Sequence, residues 1–265
     1  MPLSSNPVRR ITKAVIPAAG KGTRLLPLTK AIPKELVPLG RKPVLEHIVE
    51  EAVISGITDI LFVISREKTA IRTHFGNSAD GVRFSYAFQA EQKGLADAIY
   101  CGKEFVGDDP FAVVLGDSII DTSQSILPFR RVLNTYESTN AKGVIVVQKT
   151  PMNEVSRYGI VKPKYSIAPS FEIDALIEKP RPEDAPSDYA IAGRYAFSPL
   201  IFDYIDRTPR GAVGEYQITD SIDLMLKDGN EVWCVALGEN EIRRDIGTFE
   251  SYYEALQIEI DRTKL

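Results

Sequence analysis

Short apolar, β-branched runs alternate with stretches of helical periodicity along the chain, and this alternation leaves few folds open. Strands are expected at Ala14–Ile16, Ile60–Ile64, Phe84–Phe88, Phe111–Leu115 and Val144–Val147. Helices are expected at Val44–Ser55, where residues 44, 45, 48, 49, 52 and 53 are apolar, at Thr69–Phe75, at Leu95–Phe105, and at the C-terminal segment Phe249–Thr263. Such a pattern predicts the α/β class: a mostly parallel, mixed sheet with helices on both faces, a Rossmann-like three-layer αβα arrangement. In these sheets ligands bind outside the carboxyl ends of the strands. Two chemistry-bearing segments fall at such ends, a glycine loop after residue 17 and Gly116-Asp117.

Composition narrows the function classes. Formal net charge is −4, which argues against a nucleic-acid-coating surface while allowing a local basic pocket. No apolar run approaches the roughly 18 residues of a membrane span. Residues 1–10, MPLSSNPVRR, lack the apolar core of a secretory signal and read as a disordered polar arm, with 11–265 as a single domain. Cys101 and Cys234 share no motif spacing and read as packing residues in a reducing cytoplasm. His47 and His74 lie far apart in helix-like segments, so a zinc site is not expected.

Residues 13–39, KAVIPAAGKGTRLLPLTKAIPKELVPL, combine the parts that phosphate chemistry needs. An apolar strand leads into Ala18-Ala19-Gly20-Lys21-Gly22-Thr23-Arg24, small residues that let backbone N–H groups approach an anion. A second cation, Lys34, follows between Pro33 and Glu35. Donors followed by two separated cations suit a triphosphate. Neither the P-loop spacing nor the dinucleotide GxGxxG spacing fits, and Pro27 and Pro33 oppose an immediate long helix.

GxGTRLxPLT followed by PKxLxP resembles the signature of the sugar-1-phosphate nucleotidylyltransferases. TKAIPKELVPL with KPVLEHIVEEAVISGI is most similar to the bacterial UTP–glucose-1-phosphate uridylyltransferases. The resemblance spans about residues 12–257. It implies UTP and glucose 1-phosphate as substrates, Mg²⁺ as cofactor, a homo-oligomer in the cytoplasm, and no nucleic-acid or membrane partner. The nucleotide half would occupy about 11–120, the sugar-phosphate half about 121–248, and a closing helix 249–263.

Site residues follow motif by motif. Arg24 and Lys34 are implied as the cations acting on the leaving pyrophosphate and the α-phosphate. Ala18, Ala19, Gly20, Gly22 and Thr23 are implied nucleotide contacts. Gln89, five residues before Gly94, matches the amide that reads the pyrimidine edge, with Gln92 ranked below it. Asp117 in LGD and Asp245 in RRDIGT are the implied Mg²⁺ ligands, although either reads locally as a cap or turn aspartate. On the sugar side, Gly159 in RYG, Glu178 and Lys179 in EKP, Ile191 before GRY, and Glu215 in GEYQITD are implied contacts. The same chemistry with dTTP or another sugar or cyclitol 1-phosphate stays open, as does a non-catalytic nucleotide-sugar-binding regulatory protein. One departure is plain: the Gly76–Phe88 connection is short, where the resembled uridylyltransferases usually carry a longer, partly helical insertion.

Overall fold

Alternate residues of the central strands enter opposite hydrophobic cores, which makes three layers. Ala14 and Ile16, Ile60, Phe62 and Ile64, and Val144 and Val146 join one core. Val15, Leu61, Val63, Ile145 and Val147 join the other. A strand buried on both faces must be apolar at every position, which is why these runs lack a polar alternation. The coordinates are those of a computed structural model that describes residues 10–165, 168–211 and 214–263. Residues 1–9 of the expected polar arm lie outside the described residues.

The strands are β1 (Lys13–Pro17), β2 (Pro38–Leu39), β3 (Lys42–Pro43), β4 (Asp59–Ile64), β5 (Ser78–Ala79), β6 (Val82–Phe88) and β7 (Phe111–Val114) in the first part of the chain. They continue with β8 (Ser118–Asp121), β9 (Gly143–Lys149), β10 (Gly159–Pro163), β11 (Ser170–Glu178), β12 (Tyr189–Phe197), β13 (Val232–Ala236) and β14 (Ile242–Asp245). The helices are α1 (Val44–Ile54), α2 (Thr69–Phe75), α3 (Leu95–Tyr100), α4 (Lys103–Val106), α5 (Pro128–Ser138), α6 (Ile201–Arg207), α7 (Ile218–Lys227) and α8 (Phe249–Thr263).

Ten strands form one sheet in the order β10-β11-β13-β9-β12-β7-β1-β4-β6-β5. β1, β4, β6 and β7 are parallel neighbours, and β9 and β13 are parallel to each other. β12 runs antiparallel between β7 and β9, and β11 antiparallel between β10 and β13. Seven of the ten strands share one direction, but β5, β11 and β12 run against it, so the sheet is mixed and its parallel pairings are confined to β7-β1-β4-β6 and β9-β13. Residues of α1, α2, α5 and α8 pack into one core, and those of α3, α4, α6 and α7 into the other.

The helix expected over Leu95–Phe105 is two helices. Gly102 lies so close to the sheet that a Cβ there would stand 2.8 Å from Val15 Cγ2, and the helix breaks where the chain makes this approach. The short Gly76–Phe88 connection is a hairpin: β5 turns into β6 through Asp80 (φ 49°) and Gly81 (φ 83°), the two left-handed positions that a tight hairpin turn requires. On α8, Tyr252 and Leu256 pack against the core, while Tyr253 and Ile260 are exposed. Among the described residues no helix is long and apolar enough to cross a membrane.

Candidate active site

The loop after β1 has several of its carbonyls bonded within the protein and a run of N–H groups that are not. Ala18 N–H donates to the Val63 carbonyl (2.8 Å), holding the loop to β4. The Ala18 carbonyl accepts from Lys68 Nζ (2.8 Å), the Ala19 carbonyl from Gln92 Nε2 (2.8 Å), and the Gly22 carbonyl from Thr29 Oγ1 (2.9 Å). Among the described residues, the N–H groups of Gly20, Lys21, Gly22 and Thr23 donate to no protein acceptor. Gly22 takes φ 65°, and a Cβ there would lie 2.9 Å from Thr29 Cγ2, so the turn needs glycine. Unpaired donors on a loop whose carbonyls point away form a nest for an anion.

Beneath this loop lies a pair that the motif reading missed. Lys68, just before α2, donates to both carboxylate oxygens of Glu35 (2.9 and 2.7 Å). Glu35 is 1% exposed. Burial pushes the Glu35 carboxyl up and the Lys68 ammonium down from their ordinary ranges, while their mutual attraction opposes both shifts. Lys68→Met would leave a buried, unpaired carboxylate and release the Ala18 carbonyl. It is expected to destabilise the fold by about 3–5 kcal/mol, with Lys68→Met/Glu35→Leu recovering most of the loss. Urea unfolding of the three proteins measures this, and a single variant as stable as the parent would contradict it.

Two carboxylates meet through a strand pairing. β8 begins one residue after Asp117 and pairs antiparallel with β14, with Ser118 opposite Asp245, and Ile246 N–H donates to the Asp117 carbonyl (2.8 Å). The two aspartates, 128 positions apart in sequence, therefore stand side by side at the end of β7. Lys34 makes an ion pair with Asp117. Burial opposes charge on Asp117, yet Lys34, Arg24 and Arg243 outweigh it and hold the carboxyl below its ordinary range. Asp245 goes the other way: burial and then the Asp117 charge raise it, against Arg243, Arg24 and Lys34. Lys34 is itself held above the usual lysine range because Asp117, Glu35 and Asp245 outweigh its burial. Asp245 is raised despite three nearby cations, so the two carboxylates lie near enough to repel each other.

Arg24 crosses the cleft to this pair. A Cβ on Gly247 would come within 2.9 Å of Arg24 Nη2 and 3.5 Å of Asp245 Oδ1, so the glycine after Asp245 makes room for the guanidinium. Arg194, fully buried on β12, supports the strand start. Its guanidinium donates to Glu51 on α1 (2.6 Å at the shortest), to the Gly193 carbonyl (3.2 Å) and to the Ser118 carbonyl (2.8 Å).

Two cavities flank the carboxylates. The smaller, about 250 Å³, is lined by Ala19, Gly20, Lys34, Gln89, Gly94 and Glu215 among others. Gln89 is buried, and its amide nitrogen donates to the Gly94 carbonyl (3.2 Å) and to Asp97 (2.7 Å). Gly94 takes φ 114°, and a Cβ there would lie 2.4 Å from the Tyr216 carbonyl. Glu215, expected on the sugar side, lines this smaller cavity instead, because the Gly94 loop packs on the Glu215-Tyr216 backbone. The larger cavity, about 460 Å³, brings Asp117, Asp245, Gly159, Glu178, Lys179 and Ile191 together. Glu178 accepts from Thr219 Oγ1 (2.9 Å) and pairs with Lys179 (3.1 Å). A Cβ on Gly159 would lie 2.6 Å from Thr219 Cγ2. Lys179 holds φ 46°, an uncommon conformation for a lysine, with its N–H on the Tyr158 carbonyl (2.9 Å). A third groove, about 760 Å³, runs outside the loop past Lys21, Lys30 and Arg66.

The smaller cavity gathers Ala19, Gly20, Lys34, Gln89, Gly94 and Glu215, and the larger one Arg24, Asp245, Gly159, Glu178, Lys179 and Ile191, with Asp117 on both. Among the described residues, Gly22 and Thr23 carry unpaired N–H groups of the loop. Ala18, expected as a nucleotide contact, is buried with its N–H on Val63 and its carbonyl on Lys68, so it holds the loop in place instead. Sequence reasoning missed Lys68, Arg194, Arg243 and Gly247. Of these, Gly247 had a signal in the D-x-G spacing, and Arg194 in the GRY block.

A nest of free N–H groups, flanking cations and a carboxylate pair together make a phosphoryl- or nucleotidyl-transfer site. Comparison with known proteins agrees. The pattern of the nucleotidyl transferase family matches residues 13–262. The UTP–glucose-1-phosphate uridylyltransferase 2 of Staphylococcus saprophyticus is 42% identical over 238 residues, 82% of this chain and 81% of the relative. That of Bacillus subtilis is 40% identical over 263 residues, 91% and 88% of the two chains. A solved UDP-glucose pyrophosphorylase complexed with UDP-glucose aligns with TM-score 0.88 at 32% identity, covering 95% of this chain and 99% of that one. A UTP-bound UGPase from Acinetobacter baumannii aligns at 0.85 with 31% identity, covering 94% and 93%. The chain belongs to the nucleotidyl transferase family and is a transferase enzyme.

Proposed function

We propose that this enzyme transfers the uridylyl group of UTP to glucose 1-phosphate, giving UDP-glucose and pyrophosphate. The observation that carries the reading is the β8–β14 register, with Asp117 and Asp245 adjacent in a cleft whose other wall is the N–H nest of residues 20–23. The names of the relatives, uridylyltransferases at about 40% identity, supply the base and sugar.

In this reading the nest and Arg24 bind the β- and γ-phosphates, and Lys34 turns from Asp117 to the α-phosphate. Ala19, Gln89 and Gly94 frame the uracil, while Gly159, Glu178 and Ile191 frame the glucose, with Lys179 on its phosphate. The nucleotide half would then be about residues 11–120 and the sugar half about 121–248 of one domain. The donor set suits Mg²⁺: two neighbouring carboxylates, the charge of one raising the other, with phosphate oxygens and water to fill the remaining positions. Among the described residues no group of three or more His, Cys, Asp or Glu competes as a metal site. When bound by Asp117 and Asp245, Mg²⁺ would neutralise charge on the reacting phosphates. The protein's own residues align a phosphate oxygen of the sugar phosphate with the α-phosphorus and draw charge onto the departing pyrophosphate. A cytoplasmic homo-oligomer is part of the proposal, with the exposed Tyr253 side of α8 available for contact.

Pyrophosphate release, measured over a grid of nucleoside triphosphates and sugar 1-phosphates with Mg²⁺, tests the reading. The UTP and glucose 1-phosphate well is expected to dominate, and chelation with EDTA to abolish the signal. Release strongest with dTTP or another sugar would move the specificity, and release with no pair would end the enzymatic reading in favour of a nucleotide-sugar-binding regulator.

A further inference from the structure

We infer that Arg243 is a second cation for the phosphate of the sugar 1-phosphate, offering the Nε/Nη2 edge of its guanidinium to that group in the cavity that also holds Lys179. The inference deepens the uridylyltransferase reading and rests on it.

β14 separates three neighbouring side chains by strand alternation. Arg244 points to one face and makes an ion pair with Asp121, which Arg262 also engages (2.7 Å). Arg243 and Asp245 share the other face, and both line the 460 Å³ cavity. Arg131, Arg194, Arg244 and Arg262 all have carboxylate partners. Arg243 makes no ion pair among the described residues.

Its guanidinium is nonetheless fixed. It stacks over the Tyr158 ring, 4.3 Å from carbon to centroid, and Nη1 donates to the Ile191 carbonyl (3.1 Å). Nε is buried without an acceptor, and Nη2 has none among the described residues. A pre-oriented arginine whose Nε/Nη2 edge lacks an acceptor matches the bidentate geometry of a phosphate. Its position fits the chemistry. Glucose hydroxyls would lie near Glu178 and Gly159, and the reacting phosphorus near Asp117 and Asp245. The phosphate of the sugar must bridge the two, on the face where Arg243 projects beside Asp245. That group is a dianion approaching a carboxylate pair, and it needs a counter-charge of its own.

A merely charge-balancing arginine would act on turnover and the carboxylates rather than on one substrate. Arg243→Met is therefore expected to raise the KM for glucose 1-phosphate on the order of 10- to 100-fold, the range of charged hydrogen bonds. Calorimetry should weaken UDP-glucose binding by a similar factor and leave UMP, which lacks the second phosphate, within about twofold. Arg243→Lys should fall between, and Arg243→Gln, which can still lie on Tyr158, serves if the Met variant does not fold. An unchanged KM, or UMP and UDP-glucose weakened alike, would overturn the inference. Wild-type protein that neither binds UDP-glucose nor releases pyrophosphate would instead overturn the reading beneath it.

Discussion

Asp117→Asn is expected to lower kcat by roughly three orders of magnitude or more while leaving the fold intact. Asp117 carries one of the two neighbouring charges that suit a divalent cation, and it pairs with Lys34. An asparagine keeps the shape and removes the charge. Some stability should be lost, because the cations that hold Asp117 below its ordinary range lose their partner, while removal of the repulsion that raises Asp245 offsets part of it. Turnover and the melting temperature, measured together, decide the matter. A variant keeping more than a tenth of kcat would remove Asp117 from the mechanism. A variant that unfolds would recast it as structural.

Arg24→Ala is expected to cost about 10²–10³ in kcat, the usual effect of deleting one preorganised stabiliser of developing charge. The side chain is exposed, and its closest framing is the space left by Gly247, so the core should not register its loss. The KM for UTP should rise less than kcat falls, because the charge met by Arg24 grows as pyrophosphate leaves. A variant with kcat near the parent value would show that the nest and Lys34 suffice.

What the chain disclosed in advance was local. The loop of residues 18–24 and Lys34 are legible because a nest needs small residues in consecutive positions, and consecutive positions are what a sequence displays. Asp117 was legible as a carboxylate after a strand. The parallel strands β1, β4 and β7 read directly, because burial on both faces leaves unbroken apolar runs, whereas β6 alternates buried and exposed residues in its first half. Long-range partners were not legible. Glu35 and Lys68 are 33 residues apart, and Arg194 and Glu51 are 143 apart, so nothing local marks either pair as buried. Arg243 and Arg244 are indistinguishable until β14 is known to pair with β8, because only the pairing sets which face meets the cavity. Gly102 breaks a helix that its neighbours favour, for a reason located on β1. Glu215 changed cavities for a similar reason, the packing of its backbone on Gly94.

The central claim is a single, in-line displacement carried by cations and a carboxylate pair, with no enzyme nucleophile. Thr219, hydrogen-bonded to Glu178, and Ser118, beside Asp117, are the serine and threonine hydroxyls lining the larger cavity that would challenge it. Stereochemistry at the α-phosphorus tests this most directly, using UTP that carries a chiral α-phosphorothioate and determining the configuration of the UDP-glucose analogue formed. The account predicts inversion. Retention would require two displacements through a covalent enzyme intermediate and would contradict it.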